Sequence, residues 1–185
     1  MANLIYIANT SLDGYTEDRL GRIDWTDPSE EVFVFITGLV RDMGTHLYGR
    51  RMYESMRVWE TDPNLGAESA LNRDFAEAWQ AADKIVYSRT LEAVSTRKTQ
   101  IERNFDPEAI RKLKEAAEQD IMIGGPELAA HALRTGVLDE SQFFIHPVIV
   151  GGGKPALPDD VRVKLELLEE RRFDNGAVYL RYRVK

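Results

Sequence analysis

Short apolar runs of strand length alternate with amphipathic helical segments along this chain, and that alternation limits the folds available to it. The runs Leu4–Ala8 and Lys84–Ser88 are largely apolar, which is typical of strands buried on both faces of a sheet. Between them, residues 32–43 repeat apolar side chains at helical spacing, so they predict a helix with one buried stripe. Strands and helices that alternate in this way favour a parallel sheet covered by helices.

The pattern continues along the chain and finishes in a hairpin. The further predicted elements are a strand at His46–Tyr48, helices at Arg50–Val58, Ala70–Gln80 and 106–118, a strand at Ile121–Ile123, a helix that Gly136 ends, and a strand at Gln142–Val150. Two long segments follow, Val161–Glu170 and Ala177–Val184, and the second alternates apolar with more polar residues, as half-covered antiparallel strands do. We therefore predict an α/β fold of three layers, with a mostly parallel central sheet, an antiparallel C-terminal edge hairpin and helices on both faces.

The first predicted helix has a recognisable start and end. Asp27 is a capping residue type, Pro28 suits the first helical position, and Glu30 at the third position completes a capping-box pattern. Gly44 is expected to end the helix as a left-handed residue just beyond it. The preceding segment 9–26 is long for a loop, and loops of that length in compact domains are usually functional or mobile.

Length and charge narrow the classes of function. With 185 residues the chain is predicted to be one domain, residues 1–185. Its 24 basic and 31 acidic side chains give a net charge of −7, which argues against nucleic acid as a general partner. No apolar run reaches the ~18 residues that would cross a membrane, no cysteine is present, and the N-terminus lacks a basic leader. We expect a cytoplasmic protein that binds a small molecule.

A strand, a glycine and a helix start follow one another twice, and this repeated junction is the most informative motif. It occurs at Gly49-Arg50-Arg51 and again at Gly124-Gly125 before a proline. At such a junction the helix N-terminus exposes free backbone N–H groups and a positive dipole end, and glycine lets an anion approach them. The alternative interpretation is that each glycine only turns the chain.

Three arginines favour the anion-binding interpretation. Arg50 and Arg51 open the first junction helix, and Arg89 directly follows the strand that ends at Ser88. A guanidinium at such a place binds a phosphate monoester through two parallel hydrogen bonds. Together with the two junctions, these residues predict a cofactor that carries phosphate groups.

Other motifs are weaker. Residues 151–156 formally fit the dinucleotide pattern G-x-G-x-x-A, but Pro155 and Pro158 prevent the helix that this fingerprint requires. The three histidines, His46, His131 and His146, are too scattered to predict a metal site. No serine lies in a G-x-S-x-G elbow, so a hydrolase triad has no support.

Five segments in the right order resemble a known family. The segment Gly49–Ser55 is similar to the G-R-x-T-x-E-S segment of dihydrofolate reductases, Ile85–Arg89 resembles their strand ending in Ser-Arg, and Ile123–Gly125 resembles their Gly-Gly junction. The segments Ser11–Tyr15 and Pro147–Pro155 resemble the reductase domain at the C-terminus of the RibD-type riboflavin-biosynthesis deaminase–reductase more than a folate enzyme. The resemblance spans Leu4 to Val184 and implies the dihydrofolate reductase-like three-layer fold.

The resemblance also implies NADPH as the hydride donor. The cofactor-binding positions that it implies are Ala8 at the nicotinamide carboxamide, Gly49, Arg50 and Arg51 at the phosphates, Arg89 at the adenosine 2′-phosphate with Ser88 before it, and Gly124 and Gly125 at the pyrophosphate. Met52 departs from the pattern, because many relatives carry threonine there, and this removes one side-chain contact but leaves the backbone donors.

Two carboxylates are candidates for the catalytic acid. Trp25 to Glu30 resembles the W-x-x-P-x-D/E pattern whose carboxylate holds the pteridine in folate reductases, although Glu30 is equally explained as a capping residue. Asp13, within Ser11–Tyr15, is the riboflavin-type candidate, although Asp-Gly is also common turn chemistry. Asp27 is assigned to capping. Trp25, at the junction of loop and helix, is a candidate floor for a pocket.

We therefore expect an NADPH-dependent reductase that transfers a hydride to a heteroaromatic or ribosylamino-pyrimidine substrate. True dihydrofolate reductase activity remains an alternative, and so does a non-catalytic NADP-binding module. The resemblance further implies a homodimer, with the C-terminal strands as interface. At this length any deaminase is expected to be a separate chain.

Overall fold

Ten strands form two sheets in the computed structural model, which describes every residue from Met1 to Lys185. The strands are β1 (Leu4–Ser11), β2 (Tyr15–Asp18), β3 (Met43–Gly49), β4 (Asp83–Tyr87), β5 (Thr99–Glu102), β6 (Asp120–Gly124), β7 (Glu140–His146), β8 (Gly153–Pro155), β9 (Leu165–Arg172) and β10 (Val178–Val184). The main sheet has the order β5-β4-β3-β6-β1-β7-β10-β9, and β2 pairs with β8 in a separate ladder. In that order the six strands from β5 to β7 are parallel, β10 is antiparallel to β7, and β9 is antiparallel to β10. The predicted fold class is confirmed.

Seven helices cover the sheet. They are α1 (Glu30–Asp42), α2 (Arg50–Met56), α3 (Val58–Thr61), α4 (Pro63–Ala67), α5 (Ala70–Ala81), α6 (Pro107–Ala116) and α7 (Pro126–Arg134). The helix predicted from Arg50 to Val58 therefore ends earlier, and two short helices follow it. None of the helices is long and apolar enough to cross a membrane.

Alternate residues of β1 explain why that strand is apolar throughout. Leu4 and Tyr6 belong to a buried cluster that includes residues of α6 and α7, whereas Ile5 belongs to another that includes residues of α1 and α5. Successive side chains of a strand point to opposite faces of the sheet. Helices on both faces therefore require apolar residues at consecutive positions, as the sequence predicted.

The start of α1 differs from the prediction. Ser29 is the capping residue, since its hydroxyl accepts a hydrogen bond from the N–H of Val32. The same hydroxyl donates to Asp174 at 2.7 Å, and this contact, 145 residues away in sequence, helps to fix Ser29 at the cap position. Asp27 does not cap α1, and Glu30 is its first residue rather than its third. The capping explanation for Glu30 is therefore wrong.

The end of α1 also differs, because β3 begins at Met43 without a connecting loop. Gly44 lies inside the strand, and its φ is not in the left-handed region. A Cβ at residue 44 would lie 3.0 Å from Cβ of Gln119. Glycine is needed there for close packing and not for ending the helix.

Short or irregular strands account for the remaining differences. The sequence did not predict β5, nor the pairing of β2 in the loop 9–26 with β8. The predicted strand Gln142–Val150 ends at His146, just before Pro147, because proline has no N–H to donate to a ladder. These strands depend on tertiary partners more than on their own patterns.

Candidate active site

The two glycine junctions lie side by side at the carboxyl edge of the sheet. Strands β3 and β6 are neighbours, and Tyr48 is paired with Gly124 in their parallel register. Helix α2 begins at Arg50, directly after β3, and α7 begins at Pro126, after β6 and one glycine. Ligands of open α/β sheets bind at this edge. The structure therefore brings the two predicted anion-binding junctions together.

Both junction helices begin without a side-chain cap. Gly49 precedes α2 and Gly125 precedes α7, and neither position provides a side chain that accepts from the first N–H groups. The helices away from this site that do have side-chain caps use Ser29, Asp62, Ser69 and Asp106. Uncapped first N–H groups are available to an anion. The two helix starts at this sheet edge are thus suited to bind phosphate.

Glycine is favoured for different structural reasons at the three junction positions. Gly125 has φ +97°, which L side chains rarely adopt, and a Cβ at Gly124 would lie 3.0 Å from the ring of Tyr48. Local geometry therefore explains both of these glycines. Gly49 has φ −73°, and a Cβ there would meet no atom within 4 Å. Turning the chain does not require glycine at residue 49, whereas close approach of a ligand does.

The predicted arginines differ in how much of each guanidinium is engaged. Arg50 donates to Glu54 at 2.8 Å and to Thr90 at 2.9 Å, and Arg51 lies 3.4 Å from Glu17. Arg89 is exposed and makes no hydrogen bond or ion pair within the chain. Because Arg50 contacts Thr90, the free Arg89 guanidinium lies on the segment held against the start of α2.

Ser88 shapes the turn that presents Arg89. Its hydroxyl accepts from the N–H groups of Thr90 and Leu91 at 3.3 and 3.0 Å, and its carbonyl accepts from Arg103 at 2.9 Å. The Ser88 side chain is buried. Ser88 therefore supports the predicted cofactor region through the backbone rather than through a free hydroxyl.

A backbone gap opens beside Ala8. The pairing of β1 with β6 ends at Tyr6, opposite Ile123, whereas pairing with β7 continues to Ser11. The carbonyl of Leu4 accepts from Asp139, just before β7, and backbone groups alternate between neighbouring strands. The backbone groups of Ala8 therefore point toward β7. The backbone groups of Ile7 and Asn9, on either side of Ala8, point toward the gap beyond the end of β6.

Asn9, His146 and Trp25 form a group that sequence reasoning did not assemble. Nε2 of His146 lies 2.9 Å from Oδ1 of Asn9, and the His146 ring meets the Trp25 ring edge-on, with 5.9 Å between their centroids. Burial lowers the pKa of His146, which favours the neutral imidazole. The available signal was a polar Asn9 within an apolar strand, together with Trp25 at the end of the long loop.

Asp13 is bound to the glycine-rich loop after β7. Its two oxygens accept from the N–H groups of Val150 and Gly151 at 3.1 and 2.8 Å. A hydrogen bond from the side chain of Ser11, together with those two backbone bonds, lowers the pKa of the Asp13 carboxyl. Gly153 is essential to the same loop, because a Cβ there would overlap the carbonyl oxygen of Glu17.

Glu30 lies in different surroundings. Its side chain lines an open groove of about 760 Å³ between α1 and β9, together with Phe35 and Arg171. It is exposed and makes no hydrogen bond within the chain. The structure therefore does not place the two candidate acids in one arrangement: Asp13 is engaged by backbone groups, and Glu30 is free.

A larger charged cleft borders the start of α7. It has a volume of about 1030 Å³ and lies between α7 and the β2–β8 ladder. Lys154 contacts Glu127 at 2.9 Å, and this hydrogen bond lowers the pKa of Glu127. Lys154 and Arg134 of this cleft are paired with Glu127 and Asp160, so these two cations are less available to an anion than the unpaired guanidinium of Arg89.

The histidines do not form a metal site. His46 lies in the core, with its ring 3.1 Å from the hydroxyl of Tyr48, and burial lowers its pKa to about 3. His131 lies on α7 against Phe105, and His146 contacts Asn9. No group of three or more His, Asp or Glu side chains is arranged to hold a metal ion.

Comparisons with known proteins agree with this architecture. The family model of the RibD C-terminal domain matches residues 2–179. The uncharacterized protein YyaP of Bacillus subtilis (strain 168) is 29% identical over 176 residues, which cover 93% of this chain and 89% of that protein.

Solved structures show the same fold at lower identity. A putative riboflavin biosynthesis protein from Shewanella sp. PV-4 has a TM-score of 0.78 and 20% identity, with 100% of this chain and 99% of that chain covered. The RibD protein of Acinetobacter baumannii (form 2) has a TM-score of 0.71 and 14% identity, with 100% of this chain and 58% of that chain covered. A Thermotoga maritima diaminohydroxyphosphoribosylaminopyrimidine deaminase/5-amino-6-(5-phosphoribosylamino)uracil reductase has a TM-score of 0.66 and 18% identity, with 100% of this chain and 57% of that chain covered.

Proposed function

The chain belongs to the RibD C-terminal domain family, and from that premise we propose that it is an NADPH-dependent reductase acting on a heteroaromatic or ribosylamino-pyrimidine acceptor. The observation that carries the proposal is the pair of uncapped helix starts after Gly49 and Gly125, side by side at the carboxyl edge of the sheet. A phosphate-bearing ligand satisfies both.

The residues at this edge fit NADPH. The first N–H groups of α2 and α7 would hold the phosphates, and the space at Gly49 allows their close approach. The free guanidinium of Arg89 would bind the adenosine 2′-phosphate, since arginine binds such groups bidentately. Arg50 would add positive charge while it keeps α2 against the segment that carries Arg89.

Bound NADPH supplies the hydride, and the chain's part is mainly orientation. The backbone of Ile7 and Asn9, on either side of Ala8, would hold the nicotinamide at the gap beyond β6. Holding donor and acceptor atoms in reactive contact removes much of the entropic barrier. Of the two candidate acids, Glu30 has no hydrogen bond within the chain but lines the groove between α1 and β9, whereas Asp13 would act through the loop that it holds.

A direct experiment tests the proposal. NADPH fluorescence should change on titration with the protein, and absorbance at 340 nm should fall when an acceptor is added. We would offer 5-amino-6-(5-phosphoribosylamino)uracil and dihydrofolate separately, because they distinguish a riboflavin-type reductase from a true dihydrofolate reductase. Absence of NADPH binding at tens of micromolar would contradict the proposal. Binding without oxidation of NADPH by any acceptor would indicate a non-catalytic NADP-binding module.

We also propose that the protein assembles as a homodimer through its C-terminal strands. Strand β9 is at the sheet edge and exposes Leu165 and Leu167 by 41% and 47%. An uncovered edge strand with apolar residues favours pairing with another chain. Sedimentation equilibrium should give twice the chain mass of 21.1 kDa, and Leu167→Lys should shift the protein toward monomer. A monomeric wild-type protein would exclude this assembly.

A further inference from the structure

Asn9 and His146 share one face of the sheet. Strands β1 and β7 are parallel, with Asn9 opposite Phe144 and Ser11 opposite His146. Residues two apart on a strand point the same way, and directly paired residues share a face. Phe144 belongs to the buried cluster that includes Val32 of α1. Asn9 and His146 therefore point to the α1 side, just where the two strands end.

The contact between these side chains has a defined direction. An amide oxygen only accepts hydrogen bonds, so the contact between Asn9 Oδ1 and His146 Nε2, at 2.9 Å, requires Nε2 to carry the proton. His146 is 2% exposed, and its burial keeps the ring from rotating away. The Asn9 Nδ2 group has no hydrogen-bond partner within the chain, so both of its N–H bonds are available to a ligand.

Trp25, whose ring packs edge-on against His146, carries a second donor without a partner. Trp25 lies in a single 3₁₀ turn, Asp24–Thr26. The backbone N–H and the side-chain hydroxyl of Thr26 both donate hydrogen bonds to the carbonyl of Ile23 and stabilise this turn. The indole Nε1 is buried and has no hydrogen-bond partner. A buried donor without a partner is costly, and such groups are retained mainly where a ligand or another functional constraint uses them.

We propose that His146 is a positioning residue that fixes the Asn9 amide so that Nδ2, together with the indole N–H of Trp25, donates to the molecule that accepts the hydride. The inference rests on the proposed function. Both groups are donors, so they select an acceptor heterocycle that presents carbonyl oxygens or ring-nitrogen lone pairs. The Asn9 side chain leaves the strand next to the backbone gap, and its amide would therefore lie beside the proposed nicotinamide position.

Three variants of the pair separate positioning from simple packing. Asn9→Asp keeps an oxygen for His146 but replaces the free Nδ2 donor with an acceptor. His146→Gln keeps an N–H donor near Nε2, whereas His146→Leu removes it. We expect Asn9→Asp and His146→Leu to raise the KM for 5-amino-6-(5-phosphoribosylamino)uracil about tenfold, the effect of one lost hydrogen bond. His146→Gln should restore most of this loss, and the NADPH dissociation constant should stay within about twofold in all three.

Nuclear magnetic resonance gives a readout that does not need turnover. In the ligand-free protein, His146 should show a protonated Nε2 whose signal changes in Asn9→Ala. In the NADP⁺ complex, adding the same pyrimidine should shift the Trp25 indole signal, identified by its loss in Trp25→Phe, in the wild type and in His146→Gln but not in Asn9→Asp.

The outcomes distinguish this inference from the proposed function. Failure of the wild type to bind NADPH or NADP⁺ contradicts the proposed function. If the cofactor binds but the Trp25 signal does not move, or if His146→Leu and His146→Gln behave alike, the inference about His146 is overturned while the proposed function stands.

Discussion

The carboxylate of Asp13 accepts a 2.8 Å hydrogen bond from the backbone N–H of Gly151, 138 residues further along the chain. This bond joins the turn after β1 to the glycine-rich loop after β7. Gly151, Gly152 and Gly153 all have positive φ, so the loop depends on conformations that few other residues adopt. Asp13, one of the two candidate acids, therefore stabilises the loop beside the site.

Asp13→Asn should loosen this loop, because an amide has one accepting oxygen where the carboxylate has two. We expect a lower melting temperature at neutral pH. Hydrogen bonds lower the pKa of Asp13 in the folded state, so its stabilising effect is present above the unfolded carboxyl pKa of about 3.9 and lost as the pH falls through the lower folded value. The difference in melting temperature between wild type and variant should therefore shrink below about pH 4. A difference independent of pH would contradict a stabilising role of the Asp13 carboxylate.

Gly49→Ala should weaken NADPH binding without a comparable loss of stability. The backbone at residue 49 suits alanine, and the added methyl group meets no atom of the chain. We expect the free energy of unfolding to fall by less than about 1 kcal/mol, and NADPH affinity to fall about tenfold or more because the methyl group occupies the phosphate approach. Calorimetry and fluorescence titration measure the two quantities.

Gly38→Ala is the matched control for this experiment. Gly38 lies within α1, and a methyl group there also meets nothing within 4 Å. Alanine is the better helix former, so stability should rise by up to about 1 kcal/mol while NADPH binding stays unchanged. Equal effects of both substitutions on binding would argue against a phosphate site at Gly49.

Arg89→Ala should weaken NADPH far more than NADH, because only NADPH carries the 2′-phosphate. Loss of charge-assisted hydrogen bonds of about 1.5–3 kcal/mol predicts roughly a 10- to 100-fold rise in the NADPH dissociation constant. Stability should not change, since Arg89 has no partner within the chain. Arg73→Ala, an exposed and unpartnered arginine on α5, is the control. Equal losses for both cofactors would show that Arg89 does not bind the 2′-phosphate.

Lys84 should make stability rise with pH in the mildly alkaline range. Its amino group is buried and donates to the carbonyls of Trp79 and Ala82, and burial lowers its pKa from 10.5 to about 8. Between these values the unfolded chain holds the proton more strongly, so the stability of the wild type relative to Lys84→Met should increase from about pH 8 toward 10.5. Urea unfolding at several pH values measures the trend, and a flat difference would contradict it.

The main features of the sheet could be predicted because they follow from local patterns. Consecutive apolar residues in Leu4–Ala8 indicate a strand covered on both faces, and the structure places β1 between β6 and β7 with helices on either side. Alternation in Val178–Val184 indicates an edge hairpin, and β10 indeed pairs antiparallel with β7 and β9. These patterns are strong because burial repeats at the period of the element.

Features that depend on distant contacts were not predictable. Ser29 rather than Asp27 caps α1, and its hydroxyl is bonded to Asp174 in the β9–β10 turn. Strand β5 is only four residues long and forms because β4 offers an open edge. The ladder of β2 with β8 requires the glycine-rich loop to fold back across the chain.

The sequence by itself determined the alternation of strands and helices, the two glycine junctions and the family resemblance, because each is carried by residues close together in the chain. Only the tertiary structure decided that both junctions share one sheet edge, that Asp13 is engaged while Glu30 is free, and that Asn9 meets His146. Those relationships join residues that are far apart in the chain, and they depend on strand order and register, which no local pattern encodes.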